Sequence, residues 1–110
     1  MKVLVTGGLG YIGGRLVEAL KRDEMFVPVV HGRHHPGNRE QPGLRVADFA
    51  DPSSIVGLCE DVGAVVHLAS LDEQTCAIEP VLALEANVRG TYHLLQEALR
   101  AGVKRFVYIS

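Results

Sequence analysis

The stretch LVTGGLGYIGG, residues 4–14, places five glycines directly behind a short apolar run at the start of the chain. The generic pattern G-x-G-x-x-G runs through Gly8, Gly10 and Gly13. A second pattern, T-G-x-x-G-x-x-G, runs through Thr6, Gly7, Gly10 and Gly13. Both patterns predict a strand, a glycine turn and then a helix. In that context the turn lets backbone amides approach a diphosphate at the helix N-terminus, where the helix dipole favours an anion.

The glycines are expected to have different tasks in such a turn. Gly7 is expected to take a positive φ, Gly10 to clear the diphosphate, and Gly13 to let the helix lie against the strand. Gly8 then completes the generic pattern only by chance. A phosphate loop of the mononucleotide type is excluded, because it requires lysine before Ser or Thr, where this chain has Gly14-Arg15. A purely structural glycine turn is the alternative.

Alternating apolar segments and helical patterns predict the fold class. Short β-branched or aromatic segments predict strands over residues 3–5, 26–30, 44–46, 64–68 and 106–109. Amphipathic patterns predict helices over residues 11–22 and 80–101, and a short helix from Asp51 to about residue 59. A glycine- and proline-rich loop is expected over residues 31–43. The order predicts an α/β, doubly wound parallel sheet of the Rossmann type with strand order 3-2-1-4-5.

The long helix is expected to bury one apolar face against this sheet. The residues predicted for that face are Val81, Leu84, Val88, Leu95 and Ala98. A second apolar strip lies beside it, formed by Leu82, Leu94 and Leu99. This strip fits either a broader core contact or an interface.

Length and composition exclude several classes of protein. The 110 residues suffice for one domain, and an apolar fraction of 47% argues against disorder. The net charge of −2, without a basic stripe, argues against nucleic acid as a partner, and the apolar runs are too short to span a membrane. Cys59 and Cys76 without secretory features predict a reducing cytoplasm. His31, His34 and His35 lack partners at metal-ligand spacing, so no metal site is expected.

The glycine stretch and four further segments, in the same order, resemble the extended short-chain dehydrogenase/reductase superfamily. Within it they resemble the NAD-dependent epimerase/dehydratase family, which includes UDP-glucose 4-epimerase-like enzymes. The four segments are Asp48-Phe49, His67-Leu68-Ala69-Ser70, Asn87-Val88-Arg89-Gly90-Thr91 and Arg105-Phe106-Val107-Tyr108-Ile109-Ser110. The resemblance covers the whole chain but only the first part of a typical member. One NAD(P)-binding domain over residues 1–110, truncated after its fifth strand and belonging to a larger enzyme, is therefore expected.

The resemblance implies where a dinucleotide would bind. Its cofactor residues around the turn are Gly7, Gly10, Tyr11, Ile12 and Gly13. On the adenine side, Asp48 would accept from the exocyclic amine and Phe49 would pack on the ring. On the nicotinamide side the implied residues are Leu68, Ala69, Ser70 and Ser110. Asn87 would lie near the cofactor or brace the fourth and fifth strands, the alternative being a surface position.

The end of the second strand departs from the family pattern. NAD-binding members usually place a carboxylate there for the adenosine ribose, whereas this chain has His31, followed by Arg33. Arg33, assisted by His31 or His35, would suit the 2′-phosphate of NADP, so the sequence favours NADP over NAD. The alternative is a mobile basic loop with NAD still bound.

The family's catalytic Tyr-x-x-x-Lys pair is missing, because Tyr11 and Tyr92 are followed four residues on by Arg15 and Gln96. No catalytic residue is therefore expected in residues 1–110. The sequence predicts the cofactor half of a sugar-nucleotide epimerase, dehydratase or reductase that works by hydride transfer. A non-catalytic dinucleotide sensor or interaction module is the alternative. The resemblance also implies a homodimer through the helix at residues 80–101, and the isolated chain is expected to self-associate or to be marginally stable.

Overall fold

The computed structural model describes residues 1–33, 43–69, 78 and 80–109, apart from the side chains of Leu82 and Ala86. The elements are β1 (Lys2–Thr6), α1 (Tyr11–Lys21), β2 (Val27–Gly32), β3 (Arg45–Val46), α2 (Pro52–Ile55), β4 (Ala64–His67), α3 (Pro80–Ala101) and β5 (Arg105–Tyr108). Among these residues, no helix has the length and apolarity needed to span a membrane.

The sheet is parallel, and its strand order β3-β2-β1-β4-β5 confirms the predicted topology. In the central strand, Val5 lies opposite Val30 of β2 and Val66 of β4. Both neighbours run in the same direction, so the carboxyl ends of the strands meet at one edge. Ligands of doubly wound sheets bind at this edge, which we call the carboxyl edge.

Alternation along β1 divides the core between the two faces of the sheet. Val3 and Val5 pack with Val17 of α1 on one face. Leu4 belongs to the larger cluster on the other face, together with Val65 and Leu94. Successive strand residues point to opposite faces, so a strand covered on both sides must be apolar throughout.

The predicted buried face of α3 is wrong except at Ala98. Val81, Leu84, Val88 and Leu95 are 70%, 63%, 59% and 40% exposed. The buried residues of α3 include Ala83, Gly90, Leu94, Glu97 and Ala98. Small residues bring the helix close to the sheet: a Cβ at Gly90 would lie 2.6 Å from the Cβ of Phe49. The periodicity was compatible with either apolar face, and the close approach selects the one with Gly90.

Two smaller differences concern α2 and the second apolar strip. Asp51 caps α2 by accepting from the Ser53 amide at 3.1 Å, as expected, but the helix ends at Ile55. Gly57 follows with a φ of +85°, which stops the helix short of the predicted end.

In the second apolar strip, Leu94 is fully buried in the core and Leu99 is 79% exposed. The two leucines therefore do not form a single surface.

Candidate functional site

The glycine turn between β1 and α1 leaves no room for an unstrained side chain at Gly7, Gly8 or Gly13. Gly7 has a φ of +68°, as predicted, and a Cβ there would lie 3.2 Å from the Cα of Ala69. A Cβ at Gly13 would overlap the carbonyl oxygen of Gly7, so this glycine allows the helix to lie against the strand. Gly8 is not incidental, because a Cβ there would lie 2.9 Å from Cγ1 of Val30.

The start of α1 presents unpaired backbone donors toward the carboxyl edge. The first intrahelical bond runs from the Gly14 amide to the Gly10 carbonyl at 2.8 Å. The amides of Tyr11, Ile12 and Gly13 precede it and so have no acceptor four residues back within the helix. The Tyr11 and Ile12 side chains are exposed, 76% and 67%, and point away from the core. This helix start is suited to a phosphate group.

Gly7 and Gly10 contribute shape instead of amides. The Gly10 amide donates to the Gly7 carbonyl at 3.0 Å. The Gly7 amide donates to Nδ1 of His31, also at 3.0 Å. The implied diphosphate contact of Gly7 is therefore wrong for its N–H group, which is already used within the turn.

His31 does not lie where a 2′-phosphate ligand is needed. Its ring is 1% exposed, and Nε2 donates to the Ala47 carbonyl at 2.8 Å. Burial lowers the pKa of His31 below its ordinary value, so the ring is neutral near pH 7. The prediction that His31 assists a phosphate clamp is wrong. Strand alternation could have indicated this, because His31 shares its face of β2 with buried Val29.

Arg33 and Asp48 lie together at the adenosine end of the edge. Nε of Arg33 is 3.9 Å from Oδ1 of Asp48, and the two side chains are 59% and 44% exposed. Asp48 is held in place, because its carboxylate accepts from the Ala50 amide and its own amide donates to Ser54 Oγ, both at 2.9 Å. The pair gives this end one accessible cation and one accessible acceptor. His34 and His35 lie outside the described residues.

Phe49 points into the protein. Its ring centroid is 4.9 Å from that of His31 and 5.1 Å from that of His67, and the side chain packs on the core beneath α3. The expectation that this ring packs on adenine is therefore wrong. The ring separates two buried histidines.

Thr6 joins the glycine turn to the end of β4, a role that the T-G-x-x-G-x-x-G motif did not indicate. Its hydroxyl oxygen accepts from the amides of Leu68 and Ala69 at 2.9 and 3.0 Å. Alternation again supplied a signal, since Thr6 continues the buried row that contains Leu4. Leu68 and Ala69 thus lie beside Gly7, and their contact with the nicotinamide side stays a prediction.

The hydrogen bonds determine which nitrogen of His67 carries the proton. Thr6 Oγ1 already accepts twice, so its hydroxyl donates to His67 Nδ1 at 2.6 Å. Nε2 then donates to Thr91 Oγ1 at 3.0 Å, and that hydroxyl donates to the Asn87 carbonyl at 2.6 Å. Burial, with a smaller contribution from His31, lowers the pKa of His67 to about 4. His67 is therefore a packed, neutral strand residue.

Asn87 is half-buried on the face of α3 that carries Gly90 and Thr91. A free surface position for Asn87 is therefore excluded, and a bracing position near β4 fits.

Ser70 and Ser110 lie outside the described residues. No group of three or more His, Cys, Asp or Glu residues in the described part of the chain could hold a metal ion.

Comparison with known proteins identifies the family. Residues 3–110 match the NAD dependent epimerase/dehydratase family. The chain belongs to this family. One relative is an L-arabinose 1-dehydrogenase (NAD(P)(+)) from Haloferax volcanii. Its sequence is 33% identical to this chain over 99% of this chain and 40% of its own length.

Solved structures also match this epimerase/dehydratase family member. The UDP-glucose 4-epimerase of Thermus thermophilus, in complex with NAD, matches with a TM-score of 0.79 and 28% identity over 96% of this chain. The dTDP-glucose 4,6-dehydratase DesIV of Streptomyces venezuelae, a double mutant with NAD and DAU bound, matches with a TM-score of 0.76 and 32% identity over 100%. The chain spans 36% and 39% of these two proteins.

Proposed function

We propose that this chain binds a nicotinamide dinucleotide as the cofactor-binding part of an epimerase/dehydratase family enzyme. The observation that carries the proposal is the glycine turn at the N-terminus of α1, where Cβ atoms would fill the space and free amides face outward. The 11-residue helix adds the positive end of its dipole at the same point. A diphosphate matches this combination of shape and charge.

The other described residues of the carboxyl edge would hold the rest of the dinucleotide. Arg33 and Asp48 would contact the adenosine part, and Leu68 and Ala69 would border the nicotinamide side. The bound nicotinamide would supply hydride chemistry. The residues of this chain would bind and orient it, and none is assigned a catalytic task.

Replacing two glycines of the α1 start tests the proposal. At Gly10 a Cβ would face the diphosphate and meet only the Gly7 carbonyl, at 3.3 Å; at Gly14 it would meet only the Gly8 carbonyl, at 3.7 Å. Gly10→Ala should weaken binding of NAD and NADP by roughly 10-fold or more, because the added methyl group would push the diphosphate away from about one hydrogen-bond donor. Gly14→Ala should leave binding unchanged. Calorimetric titration measures both, and a wild-type chain that binds neither dinucleotide would refute the proposal.

We further propose a preference for NADP, carried by Arg33. The relatives and structures include proteins described with NAD and with NAD(P), so they leave this choice open. The Arg33 guanidinium is an accessible cation beside Asp48, and a 2′-phosphate would displace the long 3.9 Å contact between them. Arg33→Ala should weaken NADP binding about 10-fold and NAD binding little. An equal loss for both cofactors would eliminate the clamp.

We also propose that the whole protein transfers hydride on a sugar nucleotide. The support is that two matched structures are described as enzymes named for UDP-glucose and dTDP-glucose. Reduction of the bound cofactor on mixing the whole protein with nucleoside diphosphate sugars would test this. Reduction of the cofactor by free sugars or by non-sugar alcohols, but not by nucleoside diphosphate sugars, would contradict this proposal.

A cytoplasmic location of the protein stays a prediction.

We propose in addition that the protein forms a homodimer through α3. The exposed apolar residues Val81, Leu84, Val88, Leu95 and Leu99 follow one side of this 22-residue helix. Their spacing suits helix-on-helix packing. Light scattering should show a dimer that Leu84→Glu converts to a monomer.

A further inference from the structure

His31 connects three segments that the dinucleotide would contact or approach. Its Nδ1 accepts from the Gly7 amide in the turn after β1, and its Nε2 donates to the Ala47 carbonyl beside Asp48. Its ring packs on Phe49. The diphosphate end and the adenosine end of the site thus share one buried side chain.

Only one form of the ring satisfies both hydrogen bonds. The Gly7 amide brings a proton, so Nδ1 must present a lone pair, and the Ala47 carbonyl requires a proton on Nε2. The neutral ring with its proton on Nε2 meets both conditions. A doubly protonated ring would direct an N–H group at the N–H of Gly7, and the turn would have to move.

We infer that His31 is a positioning residue for the diphosphate: it holds the Gly7 amide inside the turn, so that the amides of Tyr11 and Ile12 face the ligand. This inference rests on the proposed dinucleotide binding. The sequence predicts that His31 assists Arg33 at a 2′-phosphate, and the inferred role at the diphosphate is a different and indirect one. His31 acts through Gly7 and does not touch the cofactor.

Several ionisable side chains lie near the His31 ring. His67 lies across Phe49 and, when protonated, would oppose a second positive charge on His31. Arg33 and Asp48 form an exposed pair at the strand ends. Arg45 is opposite His31 in the β2–β3 register, and its guanidinium donates to the carbonyls of Leu58 and Glu60. Burial makes protonation unfavourable until the medium is acidic.

The first test requires no cofactor. NMR titration of the wild-type chain should show the His31 ring neutral near pH 7 with its proton on Nε2. The Gly7 amide resonance should move with the same midpoint as His31 when the pH is lowered. A Gly7 amide that is indifferent to His31 protonation would overturn the inference, whether or not a dinucleotide binds.

The second test uses two substitutions that place polar atoms differently. The side-chain oxygen of His31→Asn can replace Nδ1 and accept from Gly7, whereas the longer side chain of His31→Gln can replace Nε2 and reach Ala47. His31→Asn should keep NADP and NAD affinity within about 3-fold, and His31→Gln should lose about 10-fold. A merely space-filling role would give the reverse order, since glutamine is closer to histidine in size.

The outcomes separate the inference from the proposed function. Wild-type protein that binds a dinucleotide, with the asparagine variant as weak as the glutamine variant, would overturn only the inference. Wild-type protein that binds neither dinucleotide would overturn both. Affinity that falls in acid for the wild type and stays level for His31→Asn would support the positioning role, and His93→Asn on α3 is the matched control.

Discussion

The carboxyl edge around β1 and the outer face of α3 are built in opposite ways. At the edge, Thr6, His31 and His67 are buried, and their polar atoms are paired within the chain. On the outer face of α3, apolar side chains such as Val81 and Leu99 are exposed to 70% and 79%. At the edge each buried polar group fixes the position of its hydrogen-bond partner, whereas the described apolar side chains of the outer α3 face are open to solvent. Changes at the edge should therefore affect stability, and changes on the α3 face should affect association.

The largest effect is expected at Gly13. An alanine Cβ would overlap the Gly7 carbonyl and lie 2.9 Å from the Cα of Gly8, and both neighbours are backbone. Gly13→Ala should cost about 4 kcal/mol of unfolding free energy, because backbone cannot move aside as a side chain can. Urea unfolding measures the loss. Gly14→Ala, on the same helix with an ordinary 3.7 Å contact, should be neutral or slightly stabilising.

Acid should weaken the edge next. The pKa of His67 falls from its ordinary 6.5 to about 4 on folding, so the unfolded chain binds a proton that the folded chain does not. Stability should be constant above pH 6.5, decrease as the pH falls toward 4, and lose about 3 kcal/mol in all. His31 acts in the same direction. Unfolding curves that coincide at pH 7 and pH 4 would contradict this; His67→Gln should reduce the difference.

Removing the Thr6 hydroxyl tests the link between the two loops. Thr6→Val keeps the shape but leaves the amides of Leu68 and Ala69 and the His67 ring without their shared partner. A loss of about 2 kcal/mol is expected, together with faster hydrogen exchange at these two amides. Thr91→Val removes only the far end of the network and should cost less. Equal costs would show that Thr6 has no special part in joining the loops.

The smallest effect on stability belongs to the α3 face. Leu99→Ser should change the unfolding free energy by less than about 0.5 kcal/mol, because the side chain is already exposed. The same substitution at fully buried Leu94 should cost about 3 kcal/mol. Sedimentation should show weaker self-association for Leu99→Ser than for wild type. Unchanged association would remove this end of α3 from the interface.

The errors of sequence interpretation share one cause. The sequence predicts a ligand contact for His31 and Phe49 from their places along the chain, and a core position for Val81 from its place in a periodic pattern. A motif states where along the strand a residue lies, but the face on which it lies depends on what packs there. Gly90 against Phe49 brings α3 down on the side of Leu4, Val29 and Val65, and His31 is enclosed with them.

The sequence by itself determined the strand order, the glycine turn and the family, because these depend on local signals: apolar runs, turn residues and their spacing along the chain. Only the tertiary structure decided which side chains face a ligand. The Gly7 amide could donate to a phosphate or to a histidine, and the approach of β2 to the turn assigned it to His31. Hydrogen-bond partners 24 residues apart are a property of packing, and no local pattern specifies them.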